Sequence, residues 1–209
     1  MGMLKLFLAI FAIVLISVSV LHAESIIRIR SYQPSPLASD SIEKKKIKTG
    51  SQEIPISSVP SKSQGWMVSY GFLGVGTSQY LANIEFENAL INLESTWQDA
   101  SFIFGGLGTT TFTIGAGSMS SGEGTITSSS TSSVVTGSKA SGTSVFAFFG
   151  LNYDLPLDLS FIGLKNTEFL VGYRELNMTY EGFEGSGISI GNKLKLKSIH
   201  NLFGVGLVF

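Results

Sequence analysis

The sequence predicts an all-β chain whose antiparallel strands close into an up-and-down transmembrane barrel. Three observations carry that expectation. The 209 residues include 24 glycines and 15 phenylalanines at positive mean hydropathy. From Trp66 onward, apolar residues recur at every second position. The last segment, Asn201 to Phe209, sets Phe203, Val205, Leu207 and Phe209 on one face and ends on an aromatic ring. No apolar run after the first twenty-odd residues is long enough for a spanning helix, which excludes a helical bundle. Closure follows from chemistry, because backbone N–H and C=O groups in hydrocarbon must be paired and an open sheet would leave an edge.

Residues 1–23 read as a signal peptide: Lys5 supplies the charge, Leu6 to Val20 the apolar core, and Leu21-His22-Ala23 a small residue before a cut after Ala23. Residues 24–64 are expected to form a short, unstructured periplasmic extension. They hold four of the five prolines (Pro34, Pro36, Pro55 and Pro60) and the Lys44-Lys45-Lys46 run. Their formal charge is three positive, seven basic against four acidic residues. From Gly65 the balance reverses, with six basic residues against eleven acidic ones, so residues 65–209 are assigned to the barrel. Ile26-Ile27-Arg28-Ile29-Arg30 alternates, but it places two arginines on one face and suits water better than lipid.

Trp66, Val68, Tyr70 and Phe72 open the period-two pattern, and Tyr80 to Leu93 is a weaker candidate. Phe112, Ile114 and Ala116 alternate with small polar residues. The 28 residues from Gly117 to Ser144 contain 21 Gly, Ser or Thr, which fits a long surface loop or a strand poor in apolar groups. Val145, Ala147, Phe149, Leu151 and Tyr153 alternate next, until Asp154-Leu155-Pro156 stops the ladder. Phe169, Val171 and Tyr173 form another face, and Gly191-Asn192 reads as a hairpin tip before the terminal strand. Six or eight strands result, and eight is favoured as the smallest common size.

The export signal, the stretches Phe146 to Pro156 and Phe169 to Arg174, and the terminal strand together resemble the superfamily of small outer-membrane barrels that includes OmpA transmembrane domains, OmpX and opacity-type proteins. The resemblance covers residues 65–209. It implies a Gram-negative outer-membrane location and assembly by the barrel-assembly machinery through Gly204, Leu207 and Phe209; Leu202 departs from the polar residue usual at its place. It also implies a monomer in contact with lipid and lipopolysaccharide.

No metal constellation, nucleotide loop or nucleic-acid motif is present, and no cofactor is expected. His200, with Ser198 two residues away on the same face, is the single candidate for general-base chemistry, and packing is the commoner role for such a residue. Lys193, Lys195 and Lys197 share parity with Phe203, which points them outward above the hydrocarbon, where lipopolysaccharide presents phosphates. Glu168 and Arg174 face inward, each expected to find a partner on a neighbouring strand. The functional expectation is a non-enzymatic structural or cell-surface interaction role through extracellular loops. A narrow porin-like channel is the alternative, and a lipid-modifying hydrolase using His200 is the remote one.

Overall fold

In the computed structural model the described residues are 26–34, 46–49, 52–55, 61–86, 89–105, 109–128, 134–137, 139–154, 159–182 and 193–209. The signal peptide, Lys44, Lys45 and the Gly191-Asn192 tip lie outside them. Eight antiparallel strands form one closed sheet: β1 (Ile27–Pro34), β2 (Ser61–Tyr70), β3 (Leu73–Phe86), β4 (Ala89–Gly105), β5 (Thr110–Ser128), β6 (Lys139–Tyr153), β7 (Asn166–Glu181) and β8 (Lys193–Val208). Each strand pairs with its neighbours in the chain, and β8 returns to pair with β1. Ile27 and Phe209 seal that seam by exchanging both backbone hydrogen bonds, at 3.2 and 2.8 Å.

The stagger of the barrel can be followed residue by residue. Phe209 meets Ile27, and the path continues through Tyr70, Leu73, Phe102, Ile114, Ala147 and Tyr173 to Asn201. One circuit therefore climbs from Phe209 to Asn201, eight residues up the same strand. Equal strand number and shear incline the strands by roughly 35–40°, so each residue adds about 2.6 Å of height.

β1 corrects the sequence expectation for residues 24–64. Its alternation does set Arg28 and Arg30 on one face, but that face is the barrel interior, where both are buried, while Ile27 and Ile29 look outward. A carboxylate inside takes the place that water was expected to fill. The chain then crosses to the opposite end, where Lys46–Thr49 pairs with Gln52–Pro55 and lies against β8. The weak candidate from Tyr80 to Leu93 is two strands, β3 and β4, which meet at Phe86 and Ala89. Most of the Gly/Ser/Thr stretch is strand as well: β5 runs to Ser128, β6 begins at Lys139, and Val134–Gly137 folds back on β5.

The barrel wall carries two opposite polarities. Near the termini the outer face is apolar, with Tyr70, Val75, Phe102, Phe112, Phe149, Val171 and Val205 all exposed. This band is about 20 Å tall, eight residues of inclined strand, near the height expected of a lipid-facing belt. Beyond it the outward positions are mainly polar, with Gln79 on β3, Thr96 on β4, Ser118 on β5, Thr143 on β6 and Glu175 on β7, and with Leu81, Leu90 and Ile199 as apolar exceptions. The interior inverts in step. It is rich in Arg, Asp, Glu, Ser and Thr beside the lipid-type band, then apolar in the far half, where Tyr80, Ile84, Ile91, Trp97, Leu176, Tyr180 and Leu194 form a fully buried cluster. The charges gather in the terminal half, whereas the far half, with a polar exterior, has an apolar core of its own in which Ser63, Ser95 and Ser198 are the buried small polar residues.

Candidate functional site

The terminal half of the lumen is built around two buried ion pairs. Glu168 on β7 receives Arg30 from β1 through Nε at 2.7 Å and Nη2 at 2.8 Å, while Thr113 accepts from Arg30 Nη1 at 2.7 Å. Thr111 on β5 also donates to Glu168. Above this, Arg174 on β7 donates to both carboxylate oxygens of Asp99 on β4, at 2.9 and 2.8 Å. The same guanidinium reaches Tyr32 Oη and Ser144 Oγ, each at 2.9 Å, and Tyr32 and Ser78 donate to Asp99 at 3.0 and 2.9 Å. Five strands, β1, β3, β4, β6 and β7, are tied by this one network.

Both inward charges therefore find partners, but not on adjacent strands as expected. Arg30 is separated from Glu168 by β8, and Asp99 is separated from Arg174 by β5 and β6. A narrow barrel makes such chords short, so a long guanidinium crosses to a carboxylate that strand order alone would place far away. A signal for Asp99 existed in its inward parity on a strand of otherwise small or apolar inward residues. Arg30 was missed because its segment was read as solvated.

Aromatic rings fill what the ion pairs leave. Phe146 and Phe148 crowd the inner face of β6 and pack with Tyr32, Met67, Leu170 and Leu202. Glycines opposite make room: a Cβ at Gly115 would run into the Phe146 ring, and one at Gly172 into Phe148. Arg174 lies 5.7 Å from the Trp97 ring and 5.5 Å from that of Phe146, each within cation–π range. Leu202, the departure from the assembly-signal pattern, is one of these buried lumen residues, where a polar side chain would face an apolar cluster. Gly204 also faces inward, against Ser31 and Tyr32, whereas Leu207 looks outward.

Ser198 Oγ and His200 Nε2 are 2.7 Å apart, so the pair considered from sequence is brought together. Both side chains are fully buried in the lumen, and Tyr80 packs edge-on against the imidazole at 5.7 Å. Acyl transfer on a lipid would require the barrel to open around them; as placed, Ser198 Oγ is the hydrogen-bond partner of His200 Nε2. Among the described residues, no group of three or more His, Asp or Glu side chains could hold a metal ion.

Lys195 and Lys197 face outward as their parity predicts. Lys195 is exposed, and Lys197 pairs with Glu175 across β7 and β8 at 3.1 Å. Hydrogen bonding from Asn177, and then from Lys197, holds the Glu175 carboxyl below its ordinary range. The side chain of Lys193 lies outside the described residues.

The fold and the two-zone wall define a small, closed, eight-stranded transmembrane β-barrel with a packed interior. Solved structures align with most of the chain. Neisserial surface protein A (NspA) aligns over 87% of this chain and 95% of its own at TM-score 0.49 and 10% identity. The outer membrane protein OprG from Pseudomonas aeruginosa aligns over 90% and 97% at TM-score 0.41 and 14% identity. Ail, the attachment invasion locus protein of Yersinia pestis, aligns over 89% and 99% at TM-score 0.44 and 14% identity. No protein-family model and no curated protein matches the sequence. The barrel assignment rests on the strand pairing of this chain itself.

Proposed function

We propose that the protein is an outer-membrane β-barrel of a Gram-negative bacterium that acts without catalysis, as a stem presenting its far-end loops for interaction at the cell surface. One observation carries the reading. The sheet continues past the lipid-type band with its polarity reversed, polar outside and apolar inside around Trp97, Tyr180 and Leu194. That is the construction of a water-exposed barrel, and its use is to hold the far ends of the strands, from which the connections run, clear of the bilayer.

The same interior argues against a conduit. Two cross-lumen ion pairs and a close-packed apolar plug occupy the space that water would need. In this reading the outward Lys195 and Lys197 meet lipopolysaccharide phosphates above the hydrocarbon, with Lys193 at the end of the same row. Gly204, Leu207 and Phe209 serve recognition by the barrel-assembly machinery.

The test replaces residues 129–133, and separately 36–45, by short Gly-Ser linkers and compares adhesion of cells displaying each variant. Heat-modifiable gel mobility serves as the check of folding. Adhesion should fall while mobility is kept. Unchanged adhesion in both variants, or steady conductance of the purified wild-type protein in planar bilayers, overturns the proposal.

A further inference from the structure

The outer wall holds a recess of about 370 Å³ where β1, β2, β3 and β4 pass the upper limit of the lipid-type band. Trp66, 52% exposed, closes the apolar series Tyr70, Val68, Trp66 on β2, and Gln64 opens the polar one. Gln64 pairs across to Gln79, and Gln79 to Thr96, with Gln33 beside them on β1. No lining residue is charged, although Lys62 and Glu94 stand close by on the same outer face.

The floor of the recess is Gly65. A Cβ there would point into the lumen, 2.6 Å from Tyr32 Oη and 2.7 Å from Ser78 Cβ, so glycine is what lets the wall lie directly over those two inward side chains. Tyr32 and Ser78 both line it and both donate inward to Asp99, which fixes their orientation from behind. The strand wall behind the recess is held in this way, and it presents outward three amides (Gln33, Gln64 and Gln79), the hydroxyls of Ser31, Thr77 and Thr96, and the Trp66 indole, on strands rather than on loops.

We propose that this recess binds the uncharged sugar ring of a glycolipid headgroup lying in the adjacent leaflet. The chemistry of the lining selects that class. Amides offer a donor and an acceptor side by side, which matches the paired demands of vicinal hydroxyls. An indole supplies a flat, rigid surface for the apolar C–H face of a pyranose. A phosphate or carboxylate would call for Arg or Lys, and the lining has neither. The position, at the rim of the lipid-facing band, puts a lipid headgroup within reach and orients its tails down the apolar wall past Val68 and Tyr70. This inference rests on the membrane placement proposed above.

The experiment uses the folded full-length protein in a detergent without sugar. Intrinsic fluorescence is titrated with a short-chain alkyl maltoside below its micelle concentration, with a phosphocholine of the same tail, and with free maltose. Trp66 is the exposed reporter, since Trp97 is fully buried. The maltoside should give a saturable change that the phosphocholine does not. Free maltose should bind more weakly, which separates a lipid source from a soluble glycan. Gln64→Ala and Gln79→Ala point outward and should keep heat-modifiable mobility while weakening maltoside binding about tenfold or more. An equal response to both headgroups marks a mere interfacial tryptophan and overturns the proposal. So does a response no weaker in the two variants, no saturable response, or free maltose binding as tightly as the maltoside. Insertion of the protein into lipid vesicles, scored separately, reports on the membrane placement, so failure of that reading is not confused with failure of the recess.

Discussion

Arg174 spans the lumen from β7 to hold both carboxylate oxygens of Asp99 on β4, with each side chain wholly withdrawn from solvent. The pair is braced by Tyr32, Ser78 and Ser144, so the carboxylate takes four hydrogen bonds and the guanidinium joins β7 to β4 and β1, neither of which pairs with it. Desolvating two charges is costly, and their attraction offsets that cost only when the geometry is as complete as it is here.

Breaking this pair from one side should be severe. Asp99→Ala leaves a buried cation and should cost about 3–5 kcal/mol, whereas the double variant Asp99→Leu with Arg174→Met should recover most of it. Urea unfolding of the detergent-folded protein, followed by tryptophan fluorescence, measures both. A double variant no better than the single one would show that the network, rather than charge balance, sets the cost.

The two-zone wall predicts opposite tolerances along one barrel. Val205→Arg places a charge in the lipid-type band and should cost about 2–4 kcal/mol in bilayers, while Ser141→Arg, beyond the band, should cost about 0–1 kcal/mol. Folding into phosphocholine vesicles and denaturant titration supply the comparison. Similar penalties at both sites would deny the change of medium between them.

Inside, the far half should behave as the core of a water-soluble protein. Leu176→Ala removes a fully buried side chain from the apolar cluster and should cost about 2–5 kcal/mol through lost burial and a residual cavity. Val171→Ala, on the lipid face, opens no cavity and should cost less than about 1 kcal/mol. Unfolding midpoints of the two variants decide the matter.

Burial pushes the Tyr180 phenol, in the far half of the lumen, up to about 12, with the Glu94 charge adding to the rise. A raised acid pKa means the folded state holds the proton longer than the unfolded chain. The associated stability is whole below pH 10 and is lost as pH climbs from about 10 to 12. Tyr180→Phe should flatten that part of the stability profile, and absorbance at the phenolate band should show one tyrosine fewer titrating late.

Much of the architecture was legible in the chain. The alternation Val145, Ala147, Phe149, Leu151, Tyr153 and the terminal Phe203, Val205, Leu207 could lie against lipid in only one way once the backbone demanded closure. Phe146 and Phe148, apolar at the intervening positions, are lumen residues opposite glycines, a complementarity between strands that no single strand displays. The same limit hid β1. Arg28 and Arg30 beside isoleucines read as a wet segment because their counter-charge, Glu168, is 138 residues away from Arg30.

The sequence by itself determined the class of fold, the inward and outward parity of nearly every strand, and the outward lysines, because side-chain direction in a strand has a strict period of two. Only the tertiary structure decided the strand number, the partners of Glu168 and Arg174, and the height at which the wall changes from lipid-facing to water-facing. Those depend on the shear of the closed sheet, which sets which residues from different strands share one level of the lumen, and parity along a single strand carries no information about level.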